Sequence, residues 1–164
     1  MKFNDGVKSV DAGRTVSFSD VLFDPRWEYC NAETGFRYRL GCIPGQLLFV
    51  SIHGAFSDEE DIARSAVLAR AVIDENRLVG IPYILTDFTA FAPLRSLRIR
   101  QQFAREIRKG IHDTGNSRAL RIVIKPDRFN RTIIRVFSPF LMTRIVVVES
   151  IEEAFEQINS RPPR

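Results

Sequence analysis

The hydrophobic pattern changes character at about residue 46. Before that point, short segments alternate apolar with polar residues, which is typical of half-buried strands. The strands predicted there are 14–23, 27–30 and 36–43. The first is expected to end at Asp24-Pro25, and the other two flank the turn 31–35 as a β-hairpin. In 36–40 the arginines fall on one face and the apolar residues on the other, so one side of the hairpin should be wet.

After residue 46, predicted strands alternate with predicted helices in the order β-α-β-α-β-α-β-α. The strands are 46–54, 83–88, 119–125 and 143–148, and the helices are 57–76, 94–111, 126–137 and 150–159. Ser57-Asp58-Glu59-Glu60 and Ser150-Ile151-Glu152-Glu153 are capping boxes that begin the first and last helix. This order predicts an α/β fold with a mixed, mostly parallel sheet covered by helices. We expect one domain over 1–164, with its core at 46–159 and an N-terminal strand and hairpin extension at 14–45.

Composition and charge exclude only a few classes of function. The net charge of +4 is modest, and the basic residues lack interleaved exposed aromatics, so we expect no nucleic-acid partner. Cys30 and Cys42 are the only cysteines, and we expect neither a metal site nor a cofactor. Residues 1–10 do not resemble a signal peptide, and no apolar run approaches the ~20 residues of a membrane span, which predicts a cytoplasmic protein.

Two polar residues are predicted at the carboxyl ends of neighbouring central strands, where ligands collect in open α/β sheets. Asp87 lies at the carboxyl end of the strand 83–88 and could bind a ligand or simply accept hydrogen bonds from its own loop. His53 follows the other, so a His53–Asp87 pair could act as a general base if the side chains came within about 3 Å. No nucleophile elbow, phosphate loop or paired-histidine motif accompanies them. We therefore expect no enzyme.

The helix predicted at 94–111 is basic and amphipathic. Its apolar arc consists of Leu97, Ile99, Phe103, Ala104, Ile107 and Ile111, and its polar face of Arg95, Arg98, Gln102, Arg105 and Lys109. It could pack on the sheet with a solvated basic face, or dock on acidic partners or anionic headgroups. Arg100 projects into the apolar arc, so its charge must pair, reach an edge or line a pocket. Asp87 is the hypothesised partner.

The chain resembles the SpoIIAA-like proteins of the STAS-like fold over 46–159. The matching pieces are strand 47–54 with its acidic capping segment, strand 84–89 with its Asp, and the last strand leading into Ser150, Glu152, Glu153 and Ala154. The resemblance implies a non-enzymatic regulatory or binding module. Anti-sigma-factor antagonists of this fold are switched by phosphorylation of a serine in a motif like Asp-Ser-Ser-Gly. Here the region reads Pro93-Leu94-Arg95-Ser96-Leu97, and Ser96 lacks both the preceding acid and the following glycine.

SpoIIAA-like proteins are thought to associate with membranes or apolar ligands, so the first hypothesis is a module that binds a protein, an apolar or lipid ligand, or an anionic membrane surface. Its candidate binding residues are Asp87, Arg95, Arg98, Arg100, Phe103 and His53. It predicts a cavity or groove between the Asp87 loop, helix 94–111 and loop 137–142. The alternatives are a partner-switching antagonist phosphorylated at Ser96, and an enzyme using His53 and Asp87. The hairpin's edge strands also allow a homodimer.

Overall fold

Six strands follow one another across a single sheet in chain order. The computed structural model describes residues 15–92, 94, 96–126, 131 and 144–160. The strands are β1 (Leu22–Asn31), β2 (Phe36–Ile43), β3 (Leu47–Gly54), β4 (Tyr83–Phe91), β5 (Leu120–Ile124) and β6 (Ile145–Val148). The helices are α1 (Glu59–Glu75), α2 (Leu97–Asp113) and α3 (Ile151–Asn159), with 3-10 turns at Phe18–Asp20 and Asn116–Arg118.

The sheet is mixed, which confirms the predicted α/β class. β1, β2 and β3 pair antiparallel, whereas β3, β4, β5 and β6 pair parallel. In β2, Phe36, Tyr38 and Leu40 are buried while Arg37 and Arg39 are exposed, so the predicted wet side of the hairpin is confirmed.

The prediction for the N-terminal strand is wrong. Phe18–Asp20 forms a 3-10 turn, and β1 begins at Leu22 and continues through Pro25. Two circumstances explain why proline does not end it: β1 is an edge strand, and its register with β2 shifts between Phe23 and Glu28. Proline has no backbone N–H to donate to a neighbouring strand. It is therefore tolerated at a bulge on an edge strand, where no such hydrogen bond is required.

Each face of the sheet has its own core. One face is covered by α1 and α2, and its buried side chains include Leu48, Val50, Ile84 and Val123. The other is covered by α3, and its buried side chains include Leu47, Phe49, Leu85, Ile122 and Phe155. Because strand side chains alternate in direction, neighbouring residues of β3, β4 and β5 belong to different cores. We call them the α1/α2 face and the α3 face.

A buried carboxylate fixes the start of α1. The predicted capping box with Ser57 as N-cap is wrong: α1 begins at Glu59, and its N-cap is Asp58, which accepts a hydrogen bond from the Asp61 N–H at 3.0 Å. The Asp61 carboxylate is fully buried and accepts hydrogen bonds from the Tyr29 hydroxyl, the Asn31 amide, and the Ser57 N–H and hydroxyl. Burial acts to raise the pKa of Asp61, but these hydrogen bonds outweigh it and hold the pKa below its ordinary value.

The start of α3 confirms the predicted N-cap but not the full capping box, because the Glu153 carboxylate accepts from the Glu149 N–H at 2.8 Å. Ser150 is its N-cap, and the Ser150 hydroxyl accepts a hydrogen bond from the Glu153 N–H at 3.1 Å. The predicted helix 126–137 and loop 137–142 lie outside the described residues. Within the described part of the chain, none of the helices is both long enough and apolar enough to cross a membrane. Both cysteines are free thiols; Cys42 is buried, whereas Cys30 is exposed.

Candidate functional site

A cavity of about 850 Å³ lies between the α1/α2 face of the sheet and the two helices. Its lining is mainly aliphatic and aromatic. Strand residues in the lining include Val50, Ile84 and Val123, and helix residues include Phe103 and Ile107. The volume falls within the range of roughly 300–1,000 Å³ that is usual for small-molecule sites.

The space arises because the facing helix surfaces carry small or half-buried side chains. Ala63, Ala66 and Ala69 of α1 line the cavity, and an alanine methyl leaves room that a larger side chain would fill. On α2, Ile99 is buried, but Phe103 and Ile107 are only partly buried. The apolar arc of α2 therefore borders empty space over much of its length.

Ion pairs join the two helices near both ends. Arg98 of α2 pairs with Glu59 at the N-terminal end, and Arg70 of α1 pairs with Asp113 at 2.6 Å near the C-terminal end of α2. Glu59 and Arg98 lie near the starts of their helices, so α1 and α2 run in the same direction, as successive crossovers of a parallel sheet require. Both pairs are largely exposed, so they mark where the helices meet and contribute little to stability.

Arg121 is the unusual group in the lining. It lies on β5 between Ile84 of β4 and Ile145 of β6 in the sheet register, and all three residues border the cavity. Arg121 Nε is buried and is the one such side-chain atom without a hydrogen-bond partner among the described residues. Burial lowers the pKa of Arg121 to about 10, because removal from water disfavours the charged form.

The other buried polar side chains near the cavity have partners. The Ser65 hydroxyl donates to the Asp61 carbonyl, and the Thr114 hydroxyl donates to the Gly110 carbonyl. The Asn116 amide oxygen accepts from the Ile81 N–H at 2.9 Å, and its nitrogen donates to the Leu78 carbonyl at 3.1 Å. Burial raises the pKa of Tyr38, another lining residue, so its hydroxyl stays neutral.

Arg100 lines the cavity, as its place in the apolar arc suggested, but the predicted ion pair with Asp87 is not formed. Arg100 Nε donates to the Leu94 carbonyl at 2.5 Å. Asp87 follows Thr86, which borders the cavity, and so points to the opposite face. The Asp87 carboxylate accepts from the Thr89 N–H at 2.9 Å, so it binds nearby backbone as the alternative held, but within β4 and not in a loop.

The structure does not bring His53 and Asp87 together. In the β3–β4 register His53 pairs with Ala90, whereas Asp87 pairs with Ser51. The two positions are two residues apart counted along β3 and three counted along β4, so at roughly 3.3 Å per residue the side chains begin about 7–10 Å apart along the strands. His53 is exposed, and neither residue lines the cavity. The geometry that a His53–Asp87 general base requires is therefore absent.

The remaining predicted site residues lie on or near α2. Phe103 lines the cavity, Arg98 is exposed and ion-paired, and Arg95 lies outside the described residues. Ser96 is the exposed N-cap of α2, and its hydroxyl accepts from the Ile99 N–H at 3.4 Å. Leu97, assigned to the apolar arc, is 66% exposed and lies outside the core. The cavity is thus bordered by α2, as predicted, but it does not extend to Asp87, where the prediction had placed another of its walls.

Arg121 was not among the predicted site residues, although the sequence carries a signal for it. It is the single charge in the strand Leu120–Ile124, LRIVI, and strand alternation places it on the same side as Val123. A charge in a central strand with two buried faces needs an explanation.

A scan against protein-family models and a search of curated proteins both found no match. Among the described residues, no group of three or more His, Cys, Asp or Glu side chains is placed to hold a metal ion.

Proposed function

We propose that this protein is a non-enzymatic binding module that holds a small apolar ligand in the cavity between α1, α2 and the sheet. The observation that carries the proposal is a cavity of about 850 Å³ with a mainly apolar lining. An unfilled space of this size costs packing energy, since its lining side chains lose the dispersion contacts that a filled core provides. A bound apolar molecule would restore those contacts.

We also propose that the fold is STAS-like and of the SpoIIAA-like type, and that the protein acts in the cytoplasm. The resemblance of the segments within 46–159 supports this assignment, together with the chain-order succession of β3, α1, β4, α2 and β5. We also propose that it binds a protein partner or forms a homodimer through its edge strand β1.

A second candidate function is contact with an anionic membrane surface. The exposed side chains of Arg105, Arg108 and Lys109 on α2 favour it, since clustered basic residues on a surface helix attract acidic headgroups. Co-sedimentation with anionic liposomes, but not with neutral ones, is the expected result. Failure to sediment with either would remove this candidate and leave the cavity proposal standing.

A third candidate is the partner-switching antagonist, for which the exposed Ser96 hydroxyl at the start of α2 is the supporting observation. Phosphate at a helix N-terminus is favourable, because the free N–H groups and the helix dipole attract negative charge. Treatment with a kinase should then phosphorylate Ser96, and mass spectrometry would detect the added phosphate. An unmodified Ser96 under conditions that phosphorylate a known antagonist would count against it.

The direct test of ligand binding is a titration with the neutral dye Nile red. We expect saturable binding to one site, and about a tenfold or greater loss of affinity in Ala104→Trp, whose indole would occupy the cavity. Arg105→Trp is the matched control, because Arg105 is the next residue of α2, is exposed and does not line the cavity. Absence of saturable binding, or equal affinity in Ala104→Trp and wild type, would overturn the proposal.

A further inference from the structure

Arg121 is placed where hydrophobic packing alone would not put a charge. Its neighbours across the sheet, Ile84 and Ile145, are aliphatic. The next residue on the same side of β5 is Val123, which is also aliphatic. A guanidinium stays charged at neutral pH even with a pKa near 10. Arg121 as a whole is half-buried, but its Nε is buried, and the cost of burying that donor must be offset by a partner.

The described residues do not supply that partner. Arg121 Nε has no hydrogen-bond partner among them, and no described carboxylate forms an ion pair with Arg121. The other charges that border the cavity are engaged or exposed. Arg70 pairs with Asp113, Arg100 Nε donates to Leu94, and Glu106 accepts from Gln102, whereas Asp74 and Lys109 are exposed.

We infer that the cavity takes an amphipathic monoanion, a carboxylate with a hydrocarbon chain, and that Arg121 binds the carboxylate. This inference rests on the proposed function and adds the chemical class of the ligand. The guanidinium presents a planar set of N–H donors that matches a carboxylate with two parallel hydrogen bonds. The aliphatic walls around Ile84 and Val123 then accommodate the chain.

A carboxylate fits better than a phosphate group for a reason of charge. The Arg121 guanidinium neutralises one negative charge, and its neighbours in the sheet register, Ile84 and Ile145, carry none. A dianionic phosphate would leave a second charge against aliphatic side chains, which is costly. The apolar lining likewise disfavours a small hydrophilic anion without a chain.

The test compares dodecanoate with dodecanol, which has the same chain and no charge, by isothermal titration calorimetry. Wild type should bind dodecanoate about tenfold or more tightly than dodecanol, as a charge-assisted hydrogen-bond pair predicts. Arg121→Met, which keeps an unbranched apolar stem and removes the guanidinium, should lose that preference and retain its affinity for dodecanol. Arg105→Met is the matched control and should behave as wild type. Thermal unfolding of each variant establishes that it is folded.

The outcomes separate this inference from the proposed function. Equal affinity for the two ligands in wild type, or a preference for dodecanoate that survives in Arg121→Met, would overturn anion recognition while leaving the cavity as an apolar site. Binding of neither ligand to wild type would overturn both. Loss of the preference in Arg105→Met as well would show that the surface charge of α2 attracts the anion, and would contradict the role of Arg121.

Discussion

Arg121 of β5 lies opposite Ile84 of β4 in the parallel register, and both border the same cavity. The pairing places a guanidinium beside an aliphatic side chain in the interior part of the sheet, with Arg121 Nε buried and without a partner among the described residues. A charge in such a position costs folding free energy unless a ligand or partner compensates it.

Replacing Arg121 by methionine should stabilise the ligand-free protein. The change removes a guanidinium whose Nε is buried without a partner among the described residues and leaves a shorter, unbranched apolar side chain, so we expect the free energy of unfolding to rise by about 1 kcal/mol or more. Urea denaturation of both proteins measures the difference. Arg105→Met, on the exposed face of α2, should change stability by less than about 0.5 kcal/mol. A clear loss of stability in Arg121→Met would show that the guanidinium is already compensated.

The Asp61 carboxylate should be a major contributor to stability. Asp61→Asn keeps the shape but removes the charge that accepts hydrogen bonds from Tyr29, Asn31 and Ser57, so we expect a loss of about 2 kcal/mol at neutral pH. Thermal denaturation at pH 7 measures it. Glu60→Gln is the control, since the Glu60–Arg64 pair is exposed and should contribute little.

The same carboxylate predicts a pH dependence. The pKa of Asp61 is lowered in the folded protein relative to its ordinary value of 3.8. Its stabilisation is therefore fully present above pH 3.8 and is lost as the pH falls through the folded pKa. Wild type should lose stability more steeply than Asp61→Asn below about pH 4. Parallel acid-denaturation curves would contradict this assignment.

Asn116 joins the end of α2 to the start of β4. Its side chain is buried and satisfies the Ile81 N–H and the Leu78 carbonyl, so Asn116→Ala would leave two buried backbone groups unpaired. We expect a loss of about 2–3 kcal/mol in a denaturation experiment. Ser117→Ala, at the next and exposed position, should be nearly neutral. A small effect of Asn116→Ala would mean that water replaces the amide.

Binding should depend on the cavity and not on the sheet edge where His53 and Asp87 were expected to act. Phe103→Ala should weaken dodecanol binding about fivefold, because it removes an aromatic part of the lining. His53→Ala and Asp87→Asn should leave the affinity unchanged, since neither residue borders the cavity. A titration of the three variants distinguishes the two locations. Loss of binding in Asp87→Asn would move the site to the sheet edge.

The sequence predicted the central part of the fold well and the site only in part. Strongly apolar strands such as β3 and β4, the amphipathic pattern of α2 and the Ser150 cap of α3 are local signals that survive packing. Pro25 misled the prediction for β1, because its tolerance depends on an edge position and a bulge that only the assembled sheet defines. The prediction of an Asp87–Arg100 ion pair was wrong for a similar reason, because strand alternation places the two side chains on opposite faces of the sheet.

The cavity itself had no local signal strong enough to predict its volume. Ala63, Ala66 and Ala69 are ordinary helix formers, and their role as small lining residues follows from the position of α2 opposite them. Arg100 and Arg121 are both charges in apolar patterns. The helical pattern drew attention to Arg100, whereas Arg121 lay in a strand too short for one exception to stand out.

The most direct test of the central claim is a methyl-labelled NMR titration with dodecanoate, because the two faces of the sheet carry separate reporter groups. We predict saturable shift changes at cavity methyls of Ile84, Val123 and Ile107, and little change at Ile43, Ile124 and Val148 on the α3 face. The same titration of Ala104→Trp should give weak changes at most. Shifts confined to the α3 face, or no saturable shifts at all, would contradict a ligand-binding cavity between α1, α2 and the sheet.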